Sequence, residues 1–209
     1  MGSELLILEA AAARVLESGD VSEVYRLSTS EIAEQAGLTR GALTHHWPTR
    51  GEFEADLLHH LAVGVRARSR QRLGASLESV LTAATKVSFD DIFGVAIESS
   101  IDAVAHSDDF PILVGLWAAS MTDRHLAEPL AATWEDLDTA FSEQIRLLLA
   151  VFRLHMKEGF TPAQLASGLI SLVQGYAIRT RIGGDTECFS PQERSRQVRA
   201  FLLAYIEPN

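Results

Sequence analysis

An all-α fold is predicted by three features of this 209-residue chain. Apolar residues recur at helical spacing through almost every segment, and no stretch alternates apolar and polar residues between Asn-Gly or Asp-Gly turns. The third feature is a set of helix-start signals: Ser28/Glu31, Thr49/Glu52, Thr161/Gln164 and Ser190/Glu193 each place a hydroxyl three residues before a Glu or Gln. In that pairing, each side chain satisfies an amide that the first helical turn leaves without a partner. Pro162 and Pro191 follow two of these caps at the first helical position, where the missing N–H costs nothing.

From these caps the spacing predicts helices over 4–18, 28–36, 40–46, 50–73, 76–88, 90–106, 110–121, 125–157, 162–182 and 191–206. Gly159 ends the long eighth helix, and Gly183-Gly184-Asp185 forms a short loop between the last two. No internal repeat or low-complexity segment interrupts the series.

Composition narrows the class. With 47% apolar residues and only 6 prolines, the chain can bury a sizeable core, which argues against a disordered or fibrous protein. The net charge of −10 excludes a generally basic nucleic-acid coat but leaves room for a small local footprint. The single cysteine, Cys188, cannot form an intramolecular disulfide or supply a thiolate zinc cage. No signal-peptide pattern precedes the first helical segment, so the cytoplasm is the expected location. The longest apolar run, Leu147 to Phe152, falls far short of the roughly 20 residues that a bilayer crossing needs. No membrane partner is expected.

The most specific local signal lies between Ser28 and Trp47. A capped short helix carries Ile32, Ala33 and Ala36, Gly37-Leu38 makes a turn, and Thr39 caps a second short helix bearing Ala42 and Leu43. Ala33 allows close approach of the two helices, Gly37 can take the positive φ of a tight helix ending, and Leu38 and Leu43 fill the angle between them. This is helix-turn-helix spacing. Ser28, Thr29 and Ser30 open the first helix, Thr39 and Arg40 open the second, and both starts present amides suited to phosphate oxygens. Arg40, Thr44 and His45 are polar residues on a helix short enough to lie in a major groove.

The segment Leu43-Thr44-His45-His46-Trp47-Pro48-Thr49-Arg50, followed by Phe53, resembles the pattern of the TetR family of bacterial transcriptional regulators. The resemblance is strong over roughly residues 4–62 and architectural beyond. It implies a helix-turn-helix DNA-binding domain at 1–50 and a helical effector-binding and dimerisation domain at 51–209. It also implies that Arg50 takes the place of a lysine that contacts backbone phosphate, and that Trp47 packs beneath the helix. Against the family pattern, Thr44 replaces a phosphate-contacting tyrosine, the first connection after Gly19 is longer than usual, and residues Met1 to Glu4 are not the basic arm that many members carry.

Charge is unfavourable in this region. Residues 1–62 hold four arginines (Arg14, Arg26, Arg40, Arg50) against ten carboxylates, a net of −6. Each phosphate contact draws affinity from placed cations and released counterions, so DNA binding must rest on few groups.

Other signals have plainer readings. Arg66, Arg68, Arg70 and Arg72 recur every two residues, which spreads them around a helix and suggests a solvated face paired to carboxylates. The adjacent pairs His45-His46 and His59-His60 point about 100° apart, unlike ligands that share a metal, so no metal site is expected. His106 near Asp102, Asp108 and Asp109 is the only acid-base cluster by sequence. Loop solvation explains it, and no Gly-rich phosphate loop or Gly-x-Ser-x-Gly elbow is present. No enzyme activity and no cofactor are expected.

The family's effector pocket corresponds to the apolar region 90–160, where Trp117, Met121, Trp134 and Phe141 are the expected lining and a small hydrophobic or aromatic molecule the expected ligand. The helices at 162–182 and 191–206 carry apolar stripes (Leu165, Leu169, Leu172, Val173, Tyr176; Val198, Phe201, Leu202, Tyr205). These either close the monomer or form the homodimer interface that the resemblance implies. With these features, the resemblance implies a ligand-responsive regulator, in the repressing direction, that binds double-stranded palindromic operator DNA as a homodimer and is released by its effector. The competing reading is a TetR-like dimeric ligand-binding protein with weak or lost operator binding.

Overall fold

The computed structural model describes residues 2–83, 89–183 and 189–208, with side chains for all of these except 73–83, 89–93, 124, 125, 129 and 133. Cys188 and the Gly184-Asp185 part of the predicted last loop lie outside the described residues. Helices dominate: α1 (Ser3–Ser18), a 3₁₀ helix (Val21–Tyr25), α2 (Thr29–Gln35), α3 (Arg40–His46), α4 (Arg50–Ala83), α5 (Phe89–Ala105), α6 (Phe110–Ser120), α7 (Arg124–Phe152), α8 (Pro162–Arg181) and α9 (Pro191–Tyr205). A ribbon of β1 (Leu154–Met156) and β2 (Ile206–Pro208) completes the described residues.

The cap signals place the helix starts. Ser28 accepts the Glu31 amide, Ser190 accepts the Glu193 amide, and Thr161 with Gln164 forms the full reciprocal box. Thr49 and Glu52 are likewise reciprocal, with both the Thr49 amide and its hydroxyl on Glu52 Oε2 at 2.9 Å.

Three boundaries differ from the sequence prediction. The expected break between residues 73 and 76 is absent, and α4 runs unbroken to Ala83. A glycine inside a helix costs only about 1 kcal/mol against alanine, too little to end a helix that flanking residues favour. The long seventh helix stops at Phe152, because Arg153 takes a left-handed conformation (φ 54°) that turns the chain into β1. β1 then pairs antiparallel with β2, His155 opposite Glu207, so the predicted helix ends at 157 and 206 are extended backbone instead.

The chain packs as two compact units. The first comprises residues 1–68 and 108–133, and the second residues 69–107 and 134–209. In the first, Ile7, Ala11 and Val15 of α1, Ile32 and Ala33 of α2, and Phe53 and Leu57 of α4 are all essentially inaccessible to solvent. α6 belongs to this unit and packs on the 3₁₀ helix.

In the second unit, α5 lies against α8 and α9. The apolar stripes of the last two helices are used there: Leu165, Leu169, Tyr176, Val198 and Leu202 are buried in one core with Ile101 and Leu148. Gly168 makes the α8–α9 approach possible, since a Cβ there would stand 2.3 Å from Phe201 Cζ. The outer face of α8 carries the exposed Ser167, Ser171, Gly175 and Ile178.

Candidate nucleic-acid interface

The first unit presents two short helices joined by a turn built from local hydrogen bonds. Gly37 adopts φ 71°, its amide reaches the Glu34 carbonyl at 2.9 Å, and the Leu38 amide reaches the Ala33 carbonyl at 2.8 Å. The left-handed residue closes α2 and redirects the chain, a role in which glycine carries no Cβ penalty. Ala33 (0% exposed) and Leu43 (3% exposed) then hold α2 and α3 together beneath the surface.

Outward from this core stand the polar residues picked out in the sequence. Ser30, Thr39, Arg40, Thr44 and His45 are exposed, and Ser28 and Thr29 are half-buried at the start of α2. Thr39 accepts the Ala42 amide at 3.3 Å, so its oxygen is engaged as a cap. The Thr44 hydroxyl donates back to the carbonyls of Arg40 and Gly41. Such back-bonding competes with donation to an external acceptor.

The tail of the motif is structural. Trp47 is buried, donates its indole N–H to Asp56 Oδ2 at 2.8 Å and meets Phe53 edge-on at 5.3 Å between ring centroids. His46 Nε2 lies 2.6 Å from Ser3 Oγ, which ties the end of α3 to the start of α1. These contacts seat α3 on α1 and α4, and leave His45 facing solvent.

Arg50 has a role that sequence reasoning missed. Its guanidinium donates to the carbonyls of Leu27 (2.9 Å), Tyr25 (2.8 Å) and Val24 (3.4 Å), and its Nε donates to Glu54 at 2.6 Å. It therefore pins the end of the 3₁₀ helix to the first turn of α4, with 43% of the side chain still exposed. The acceptors are backbone atoms 23 to 26 residues away, which no side-chain pattern signals.

The other charges follow the same trend. Arg26 pairs with Asp20 and Glu23. The Ser22 hydroxyl and amide donate to Asp20, and with Arg26 they hold its carboxyl below the usual value. The exposed Arg70 approaches Asp136 at 3.8 Å, as expected for a solvated face paired to carboxylates, whereas Arg68 is half-buried and pairs with the buried Asp109 at 2.9 Å, so this arginine series is not solvated throughout. Among the described residues, Arg40 forms no ion pair and faces solvent, which makes it the most available cation on the helix-turn-helix surface.

The expected effector residues fall in two groups. Trp117 is half-buried on α6, while Met121, just past its end, is 85% exposed; both belong to the first unit. Trp134 and Phe141 are half-buried on α7 in the second unit, and Phe141 packs against its core. One turn apart on α7, the Asp138 Oδ1 and the buried Ser142 Oγ have no protein hydrogen-bond partner, and burial pushes the Asp138 carboxyl up.

Comparison with known proteins agrees with this geometry. Residues 7–53 match the family of bacterial regulatory proteins described as tetR family. No curated protein matches the chain in direct sequence comparison. Among solved structures, a protein assigned to the TetR-family transcriptional regulators from Rhodococcus sp. is 19% identical, covers 98% of both chains and superposes with a TM-score of 0.57. GusR of Salmonella enterica is 17% identical over 96% of this chain and 95% of its own (TM-score 0.61). A further TetR-assigned protein, from Mesorhizobium loti, is 17% identical over 97% and 96% (TM-score 0.66). At these identities the likeness is one of fold.

Proposed function

We propose that this chain, TetR-family in its DNA-binding segment 7–53 and in the all-α fold of its whole length, is a ligand-responsive transcriptional repressor that binds a palindromic operator as a homodimer. The observation that carries the reading is the helix-turn-helix of residues 28–47, whose second helix presents Arg40, Thr44 and His45 to solvent on a rigid seat. Residues 1–50 then read DNA, and residues 51–209 bind effector and partner.

Direct base reading falls to Arg40 and His45, and Ser28, Thr29, Ser30 and Thr39 position the backbone. Arg50 contributes to DNA binding through the chain it pins more than through its own charge, because its donors are already committed. Dimerisation through α8 and α9 uses their outer faces, with Ser167, Ser171, Gly175 and Ile178 on α8, since the inner stripes are consumed in the monomer core. The effector is a small hydrophobic or aromatic molecule, and within the second unit the half-buried Trp134 and Phe141 of α7 are its proposed contacts; in the first unit Trp117 is half-buried, and Met121, 85% exposed, offers no enclosed lining. A hydrogen-bond donor on that molecule would be met by Asp138 and Ser142.

Selection of bound duplexes from random DNA at two salt concentrations tests this reading. The expected result is an enriched palindrome, bound at least tenfold more weakly by Arg40→Ala and no more than twofold more weakly by Arg70→Ala. Equal losses would place the DNA face elsewhere. The second reading, a dimeric ligand-binding protein without tight operator binding, is favoured by the −6 charge of residues 1–62 and by the engagement of Arg26 and Arg50 within the protein. An absence of sequence preference in the same selection would establish it over the first.

A further inference from the structure

We propose that the 3₁₀ helix Val21–Tyr25 couples the position of α6 to that of α2, and thereby lets α6 set DNA affinity; the inference rests on the regulator reading above. In the sequence this segment is only a long first connection. Folded, it is a docked element. Asp20 caps its start through the Ser22 amide at 2.8 Å, and Val24 and Leu27 are buried beneath it.

One side of the segment is keyed into α6. At Gly115 an added Cβ would stand 2.5 Å from Val21 Cγ1 and 3.0 Å from Val21 Cβ. Only glycine leaves room for this contact, and valine, branched at Cβ, has little freedom to turn away. The other side is held on α4 by the bonds from Arg50 to the carbonyls of Val24, Tyr25 and Leu27. α6 is in turn held to α4 at its own start, where Arg68 Nε donates to the buried Asp109 at 2.9 Å.

The three elements thus brace one another within the first compact unit. Close-packed interiors respond to displacement by moving neighbours as units rather than by compressing. A shift of α6 at Gly115 must therefore be taken up by Val21. With the end of the 3₁₀ helix anchored at Arg50, the motion passes along Arg26 and Leu27 to Ser28, which caps α2 and precedes the expected phosphate contacts. α6 also carries Trp117, so an effector that moves this helix acts on α2 by a short path. What is required is that α6 have two positions which effector and DNA bias differently.

Gly115→Ala and the double variant Val21→Ala/Gly115→Ala test the coupling in the full chain. The single variant is expected to raise amide exchange across residues 22–35 at least tenfold while leaving α8 unchanged. It is also expected to weaken binding to a duplex selected by the wild-type chain by at least tenfold, measured by fluorescence anisotropy. The double variant removes the 2.5 Å clash with Val21 Cγ1 and keeps a tight 3.0 Å approach to its Cβ, so both readouts are expected to recover at least threefold toward wild type. Wild-type exchange and affinity in Gly115→Ala, or a double variant no better than the single, overturns the proposal. Where Gly115→Ala does not fold, Val21→Ala alone carries the test: unchanged exchange at 22–35 overturns the coupling, and faster exchange confined to that segment supports it. A wild-type chain that selects no duplex removes the regulator reading, and the exchange arm then decides by itself whether α6 and α2 are mechanically linked.

Discussion

Arg50→Ala separates a structural arginine from a phosphate-binding one. In the structure its guanidinium makes two short bonds to backbone carbonyls, Leu27 at 2.9 Å and Tyr25 at 2.8 Å, and a longer one to Val24 at 3.4 Å. Hydrogen bonds from a charged donor contribute about 1.5–3 kcal/mol when shielded, but this side chain is 43% exposed, so we assign about 1 kcal/mol to each short bond and neglect the third. The exposed pair with Glu54 adds at most about 0.5 kcal/mol. Truncation should therefore cost about 2 kcal/mol, a fall in Tm of about 4–8 °C for a protein of this size. Thermal melts of the DNA-free protein measure it, with amide exchange at residues 24–28 read alongside, because two compact units need not unfold in one transition. Arg50→Lys should recover only a minor part, since an ammonium cannot span carbonyls on three residues as the guanidinium fork does. A Tm for Arg50→Ala within 1 °C of wild type would refute the reasoning and return Arg50 to the role of a free phosphate contact.

Three further outcomes are expected. Arg194, only 4% exposed, is bound to Glu98 at 2.7 Å, so Arg194→Ala should destabilise by about 3–5 kcal/mol in urea denaturation, and Arg194→Met/Glu98→Leu should lose clearly less because no carboxylate is stranded. Gly168→Ala should cost about 1–3 kcal/mol by driving a methyl into Phe201, whereas Gly175→Ala, which meets open space in the monomer, should leave monomer stability unimpaired; if the outer face of α8 mediates dimerisation, sedimentation will show the second variant weakening the dimer. The Asp20 carboxyl is held below its ordinary value of 3.8 by the Ser22 hydroxyl and amide and by Arg26, so its support of the 3₁₀ helix is present above that value and lost as pH falls through the depressed one. Ser22 amide exchange, corrected for intrinsic rate, should accelerate in that acid window, and Asp20→Asn should abolish the step.

The helix starts were legible because capping is local. A hydroxyl at the start of a helix accepts the amide three residues on wherever the helix later packs, which is why Ser28, Thr49, Thr161 and Ser190 all cap in the structure, with the return bond made at Thr49 and Thr161. α3 matches its predicted span of 40–46 for the same reason. The uninterrupted α4 was not legible, since a single glycine shifts local preference by less than the rest of the helix contributes. The end of α7 depends on Arg153 entering a left-handed turn so that β1 can pair with a strand some fifty residues on, and nothing in the local sequence announces that partner.

Residue roles divide in the same way. By itself the sequence determined the all-α class, the helix-turn-helix spacing and the polar residues of α3, because each depends on contacts a few residues apart or on amphipathic spacing, while the packing of Trp47 was implied by the family resemblance. Tertiary structure decided which atoms meet across long separations. It turned Arg50 inward onto carbonyls, spent the stripes of α8 and α9 on the core of the second unit, and keyed Val21 into Gly115. Side-chain type states what a residue can bond. Only the folded backbone brings a particular carbonyl, ring or vacant glycine within reach.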